Sequence, residues 1–269
     1  MAPTPKTHTV RLMPDTVLNV PQLWLDVYVE GDKREEAAFA NWLSRAACKR
    51  AETPEKADLV IFTGGEDVNP ALYNAKPHQL TRFNEARDER EIELYRQCLE
   101  EGIPMLGICR GAQFLHVMNG GVLYQHVDGH NTAHNIYDIN KQEHIAPVSS
   151  VHHQMCKFNP DGRQLILADS LDATKRWLDN DTVVDGRMAD IEAYFYRQSV
   201  CLGFDGLAEY RGYDRYSNGC LDILYDYIVC NTDIELRNQV RRVKTEILEE
   251  RRHLRDRGEL FELPSASIH

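Results

Sequence analysis

The sequence predicts an α/β fold built on a doubly wound, mostly parallel sheet. An apolar run over 57–62 ends in Thr63-Gly64-Gly65, which is typical of a buried parallel strand followed by a tight turn. A helical pattern over 84–101 comes next, and a second apolar run over 103–108 follows it. Strand, helix and strand in this order form the repeating unit of a doubly wound sheet.

The flanking elements follow from the same patterns. Extended segments are predicted over 8–12 and 22–29, and a helix with one apolar face is predicted over 33–50. Later in the chain the patterns predict short strands, then a helix over 217–230 and a charged helix over 233–257. The short strands are expected at 121–127, 148–152, 163–168, 191–196 and 199–204.

The composition of the 269 residues limits both organisation and partners. No linker or repeat divides the middle, so we expect one domain over 1–231 followed by a charged helix and tail over 232–269. A formal net charge of −11 argues against a nucleic-acid partner. No apolar stretch approaches the roughly 20 residues that span a bilayer. Seven cysteines, with no signal-like N-terminus and no Cys-x-x-Cys pair, predict a cytoplasmic location.

The segment Gly107-Ile-Cys-Arg-Gly111 is the most informative motif in the chain. It lies between an apolar strand pattern and a helical one, so Cys109 is expected at a sharp strand-to-helix turn. Glycines two positions before and after a nucleophile relieve crowding at such a turn. A helix N-terminus is also expected to favour the thiolate. Cys109 is therefore the candidate nucleophile, and the alternative is a buried structural cysteine.

Three separated segments resemble one family. They are Gly107 to Gln113 with the following Gly120-Gly121-Val-Leu-Tyr-Gln125, the loop Gly64-Gly65-Glu-Asp-Val-Asn-Pro70, and Ser150-Val-His-His-Gln154. Together they resemble the class I glutamine amidotransferases, and within them the peptidase C26 branch of γ-glutamyl hydrolases. The resemblance extends over about residues 8–231. It implies a three-layer, flavodoxin-like fold with a mostly parallel central sheet and a nucleophile elbow.

The resemblance also implies a site. Cys109 would attack a glutamine or γ-glutamyl amide and form a thioester, and donors placed in advance would stabilise the resulting oxyanion. Backbone N–H groups of Gly65 and Arg110 are the expected donors, with Gly64 in the same loop. Substrate binding would involve two glutamines, Gln113 and Gln154. Gln113 could equally be an ordinary helix residue.

One segment departs from the family pattern. The family's Leu-Gly-x-Gln-x-His-Pro-Glu corresponds to residues 202–209, where Glu209 is retained but Leu207 stands in place of the histidine. Leucine can neither accept a proton nor orient a thiol. Either another base serves the cysteine, with His152 or His153 as the candidates, or the chemistry is lost. In the second case the two histidines bind substrate or have a structural role.

The remaining histidines give no metal-ligand pattern. His126, His130, His134 and His144 are expected in loops that could approach the site, and the pair at 130 and 134 is interpreted as loop residues, not as zinc ligands. We therefore expect no metal and no cofactor.

Two functions remain open at the level of the sequence. The first is a cysteine-dependent hydrolase of a glutamine or γ-glutamyl C–N bond, which releases its product or supplies ammonia to a partner synthetase. The second is a catalytically impaired binding or assembly protein that retains the pocket. The apolar stripe from Leu236 to Ile247 would pack on its own domain or mediate association with a synthetase or a second copy.

Overall fold

The architecture comes from a computed structural model. It describes residues 7–13, 16–21, 25–31, 37–39, 42–43, 48–128, 130, 133–149, 152–168, 175–185, 190–209 and 212–229. Contact clustering divides the chain into two units, Met1–Ile228 and Val229–His269. The predicted helix over 233–257 and its stripe lie outside the described residues, and the expected domain boundary after residue 231 stays a prediction.

The structure gives bounds for sixteen strands and three α-helices, and residues 37–39 and 42–43 are also helical. The strands are β1 Thr7–Met13, β2 Thr16–Pro21, β3 Leu25–Glu30, β4 Cys48–Arg50, β5 Leu59–Phe62, β6 Met105–Ile108, β7 Leu123–Tyr124, β8 His126–Val127, β9 His134–Asp138, β10 Glu143–Val148, β11 Met155–Cys156, β12 Arg163–Ala168, β13 Lys175–Trp177, β14 Val183–Asp185, β15 Ile191–Tyr196 and β16 Cys201–Phe204. The helices are α1 Glu85–Glu101, α2 Arg110–Met118 and α3 Asp214–Leu224. Short turns of other helix types occur at Pro54–Lys56, Pro70–Tyr73 and Tyr225–Val229.

The central sheet has nine strands in the order β10-β9-β12-β15-β16-β6-β5-β3-β4. The strands from β16 to β4 pair in parallel, and those from β10 to β16 pair antiparallel. The predicted α/β class is confirmed, and the predicted strands over 163–168 and 191–196 occur at those bounds. All four residues of β5 and of β6 are buried, as a parallel sheet covered on both faces requires. These two strands lie next to each other and lead into the glycine loop and the elbow.

Helix α1 has well-defined ends. The Asn84 side chain accepts a hydrogen bond from the Arg87 N–H at 3.2 Å, and Gly102 closes the other end in the left-handed region at φ 66°. Unusually for a helix on a core, its buried side chains include the charged residues Asp88 and Glu91. Both carboxylates pair with Arg110 of α2.

Several sequence predictions were wrong in detail. Residues 48–50 form β4 beside β3 and not the end of a helix, and the strand expected at 148–152 instead spans 143–148 as β10. Strand β9 was missed altogether. Its alternating buried positions are occupied partly by His134 and Asp138, so the sequence shows no clear apolar alternation.

Candidate active site

The turn between β6 and α2 places Cys109 at φ 51° and ψ −116°, a backbone conformation that L residues rarely adopt. Its N–H donates to the Phe204 carbonyl at 2.7 Å, which ties the turn to the end of β16. A Cβ on Gly107 would overlap the backbone of Gly111, and a Cβ on Gly111 would overlap the Phe62 carbonyl. Both glycines of the motif are therefore required by close backbone approach.

The environment of the Cys109 thiol opposes ionisation. Burial raises its pKa well above the ordinary value, and the carboxylates of Asp205 and Glu209 raise it further, against a smaller lowering by the Arg110 N–H. The sequence prediction of a favoured thiolate was wrong because desolvation and nearby negative charge outweigh the helix N-terminus. The residue as a whole is nevertheless half-buried and not fully enclosed.

The glycine loop after β5 lies against the nucleophile. A Cβ on Gly64 would be 3.7 Å from the Cβ of Cys109, so the backbone of this loop borders the thiol. Gly65 has φ 134°, and a side chain there would overlap the guanidinium of Arg87. That guanidinium donates a hydrogen bond to the Thr63 carbonyl at 3.1 Å, which connects α1 to the start of the loop.

A buried ionic network joins this loop to the residue after the nucleophile. The Arg110 guanidinium pairs with Asp88 and Glu91, and all three side chains are buried. The other oxygen of Glu91 pairs with Arg87 Nε at 2.8 Å. Sequence reasoning missed this network; charged residues on the inward face of the 84–101 helix were its only signal.

Gln113 on α2 makes hydrogen bonds to two neighbouring segments, and its role in substrate binding stays a prediction. Its buried side-chain amide donates to the Gln154 carbonyl at 3.1 Å and to Asp205 Oδ1 at 3.0 Å. It therefore ties α2 to two neighbouring segments. The side-chain amide of Gln154 is itself buried and has no hydrogen-bond partner among the described residues.

Asp205 occupies the position of the glutamine in the family pattern. Burial raises its pKa well above the usual range, and the nearby charge of Glu192 acts in the same direction, whereas the hydrogen bond from Gln113 opposes them. Burial thus favours the protonated form of this carboxyl, which can donate a hydrogen bond as well as accept one.

The two adjacent histidines have separate surroundings. His152 is buried, its Nδ1 lies 2.8 Å from the Gln154 carbonyl, and burial lowers its pKa to about 4. His153 is half-buried, and its Nε2 lies 3.1 Å from Asp67 Oδ1. The charge of Asp67 also acts on the Cys109 thiol. Of the two candidates for a base, only His153 combines access with a carboxylate partner.

Leu207 and the candidate nucleophile both border the backbone of Gly64. Its Cδ2 is 3.9 Å from the Cβ position of Gly64, and that position is 3.7 Å from the Cβ of Cys109. Glu209 follows, half-buried and close enough for its charge to act on the thiol. An apolar side chain therefore occupies the neighbourhood in which the family pattern expects the histidine.

The expectation that His130 and His134 lie in loops holds for His130, which belongs to no helix or strand, and is wrong for His134. Both are buried, His134 begins strand β9, and they lie beside Glu192 of β15, whose Oε1 is 2.9 Å from His134 Nε2. Sequence reasoning missed the cluster because Glu192 is remote from the two histidines along the chain.

Comparison with known proteins bears on this arrangement. The Peptidase C26 family model matches residues 42–163, slightly under half of the chain. The matched range contains the glycine loop, the elbow and Gln154, and it ends before the 202–209 segment. The resemblance to the class I glutamine amidotransferase superfamily is confirmed.

The amidotransferase-like relatives include three informative examples. "Putative glutamine amidotransferase Rv2859c" of Mycobacterium tuberculosis is 40% identical over 29% of this chain and 28% of its own length. "Putative glutamine amidotransferase-like protein YvdE homolog" of Lactococcus lactis is 46% identical over 25% of this chain and 37% of its own. "Gamma-glutamyl-CDP-amidate hydrolase" of Campylobacter jejuni is 41% identical over 23% and 28%. The matches thus span well under half the length of these relatives.

Among the described residues, every helix is too short or too polar to cross a bilayer.

Proposed function

We propose that this protein is a cysteine-dependent hydrolase of a C–N bond in glutamine or a γ-glutamyl amide. The observation that carries the proposal is the backbone of Cys109, held at φ 51° beside Gly64. A non-glycine residue in that conformation costs of order 1–3 kcal/mol and persists where the surroundings over-determine it, commonly at active sites. A structural cysteine would gain nothing from such a turn.

A polar substrate is supported by Gln154. The buried side-chain amide of Gln154 has both a donor and an acceptor unused among the described residues. Burying such groups without partners costs about 1–3 kcal/mol each, which a ligand with complementary polar groups would recover. The amino group of a glutamyl moiety can donate to the Gln154 side-chain oxygen, and its carboxylate can accept from the Gln154 side-chain N–H.

The reaction balances with the residues that are present. The Cys109 sulfur attacks the amide carbonyl, the C–N bond breaks, and the thiol proton leaves on the departing amine. Water then hydrolyses the thioester, which gives the free carboxylic acid and restores the thiol. Backbone N–H groups of Gly65 and Arg110 would stabilise both oxyanions. We propose His153, supported by Asp67, as the group that relays the proton in place of the missing histidine.

A second candidate function is favoured by one specific observation. Leu207 supplies no base near the Gly64 backbone, and burial raises the pKa of the Cys109 thiol. Such surroundings are expected in a protein that retains the pocket for binding or assembly but does not turn over a substrate. In this case a glutamine-like ligand would bind but would not be cleaved. Supply of ammonia to a partner synthetase, association through the C-terminal segment and a cytoplasmic location stay predictions.

The deciding experiment measures ammonia and glutamate release from glutamine and a panel of γ-glutamyl amides. The wild type should turn over slowly, Cys109→Ala should be inactive, and Leu207→His should be faster, because an imidazole beside the thiol can accept its proton. A His153→Gln variant should lose most wild-type turnover, whereas His144→Gln, at an exposed position, should lose none.

The contrary result is equally specific. A silent wild type that binds glutamine and gains turnover only in Leu207→His would replace the hydrolase with the binding protein. Turnover that survives in Cys109→Ala would eliminate both the nucleophile and the proposal.

A further inference from the structure

The cluster of His130, His134 and Glu192 is not used by the proposed hydrolysis. Each residue offers a ligand atom, and these atoms lie within 4.8 Å of one another. All three residues are buried, so this is not a chance grouping of surface groups. Two imidazole nitrogens and a carboxylate oxygen form a donor set that suits zinc and neighbouring divalent transition metals.

The outer surroundings of the cluster are also those of a metal site. His130 presents Nδ1 to Glu192 Oε1 at 3.8 Å, and its Nε2 lies 3.1 Å from Asp190 Oδ2. Asp190 is fixed in turn by the guanidinium of Arg176. Metal-binding histidines commonly donate their other ring N–H to a carboxylate, which fixes the orientation of the ring.

Two further acceptors are unused at the cluster. The Oε2 atom of Glu192 is buried without a hydrogen-bond partner among the described residues, on a side chain with no exposed area. His152 Nε2 is likewise buried and unpartnered among these residues. Its Nδ1 lies 2.8 Å from the Gln154 carbonyl, which requires an N–H there and leaves the lone pair on Nε2.

The three imidazole rings lie close together. The ring of His130 is 4.9 Å from that of His134 and 5.2 Å from that of His152, centroid to centroid.

We propose that His130, His134 and Glu192 bind a divalent transition metal ion, with zinc as the best fit. The ligands come from the segment before β9, from β9 itself and from β15. Three protein ligands leave one position of a four-coordinate ion for water. The ion fastens the antiparallel half of the sheet, because β9 and β15 both belong to that half.

Metal binding by the full chain, without an affinity tag, tests the proposal directly. After chelator treatment, the protein is titrated with Zn²⁺ against a chromophoric chelator. We expect one tight equivalent in the wild type. His134→Gln and Glu192→Gln should each lower the affinity at least tenfold, and the exposed His144→Gln should match the wild type. A wild type that takes up no equivalent, or variants that bind like the wild type, would overturn the site.

A second readout guards against variants that fail to fold. Co²⁺ added to the chelator-treated wild type should give the intense visible absorption of a four-coordinate site, without the sulfur-to-metal bands that cysteine ligands would add. Zn²⁺ should also raise the melting temperature of the wild type and of His144→Gln. A weak spectrum like that of Co²⁺ in water, or an unchanged melting temperature, would show that the cluster is only a hydrogen-bonded network. Both readouts are independent of hydrolysis, so the two proposals fail separately.

Discussion

The groups around Cys109 shift the pKa of its thiol in opposite directions. The N–H group at the start of α2 lowers its pKa, whereas burial and the carboxylates of Asp205 and Glu209 raise it. The carboxylates have this effect because their negative charge disfavours the thiolate. A motif that sets the backbone of a nucleophile thus does not by itself set its ionisation.

The reactivity of this thiol should follow its raised pKa. We expect alkylation of Cys109 by iodoacetamide to increase about tenfold per pH unit across pH 7 to 9 without a plateau, because only the thiolate reacts. A model peptide thiol should level off near its ordinary pKa of about 8.5. Mass spectrometry of the Cys109 peptide measures the rate, and a plateau below pH 8 would contradict the assigned direction.

The close approach at Gly111 gives a sharp stability prediction. Gly111→Ala forces a methyl group into the Phe62 carbonyl, so we expect a loss of at least about 3 kcal/mol in the free energy of unfolding, at or beyond the upper end of ordinary overpacking.

The matched control is Gly219 within α3, where a Cβ meets no atom within 4 Å. Gly219→Ala should stabilise by about 0.5–1 kcal/mol through helix propensity. Urea unfolding compares the two variants with the wild type. Similar unfolding midpoints for both would show that the backbone at 111 has room to move.

At the scale of elements, the contact between α1 and α2 is unusual because it includes buried charge. Arg110 on α2 meets Asp88 and Glu91 on α1, and Arg87 extends the network to the glycine loop. Buried ion pairs are weak sources of stability, but removal of one partner leaves the other charge uncompensated. The network therefore fixes the relative positions of the two backbone segments that flank the thiol.

Glu91→Gln tests this network. It leaves Arg110 and Arg87 short of negative charge, so we expect a loss of about 3–5 kcal/mol in the free energy of unfolding. Glu52→Gln is the matched control, because Glu52 pairs with Lys56 at 3.0 Å on an exposed surface and should change stability by less than about 1 kcal/mol. Equal effects in guanidinium unfolding would mean that the buried network has no special role.

At the scale of the whole molecule, the chain joins a parallel half-sheet that carries the elbow to an antiparallel half that carries the histidine cluster. The first half could be predicted from the sequence, because continuous apolar runs and the Gly107 and Gly111 spacing are local signals. The second half could not. Its inward positions include His134 and Glu192, so polar residues hide the alternation, and their proximity depends on strand pairing that no local pattern encodes.

The candidate site likewise has residues that the sequence predicts and residues whose arrangement it does not predict. The candidate nucleophile, the glycine loop and Leu207 at the position of the family's histidine could each be selected from short motifs, and their roles stay predictions. The choice between His152 and His153 could not, because it depends on which way each side chain faces. The same is true of Gln113, which the sequence places one turn after the nucleophile but whose amide is bonded to Gln154 and Asp205.

The stability of the whole molecule should fall in mild acid. Burial lowers the pKa of His116 to about 4, against 6.5 for the exposed ring. Between these values the unfolded chain binds the proton and the folded chain does not, so the free energy of unfolding is highest above pH 6.5 and decreases as the pH falls to about 4. This group alone accounts for about 3 kcal/mol.

His116→Gln removes that contribution, so its stability should depend less steeply on pH between 6.5 and 4 than the wild type's. The exposed His144→Gln serves as the control and should retain the wild-type slope. Urea unfolding midpoints at closely spaced pH values measure the difference. A His116→Gln slope as steep as the wild type's would assign the acid sensitivity to other groups.

The protonated state of Cys109 also bears on how the protein ages in an oxidising environment. Peroxide converts thiolates, far more readily than thiols, to sulfenic acid and then to irreversible sulfinic and sulfonic acids. A cysteine whose pKa is raised by burial and by neighbouring carboxylates presents little thiolate to such oxidants. The leucine that removes the expected base thereby leaves the sulfur in its less oxidisable form, and the site retains an intact thiol under conditions that would consume an activated one.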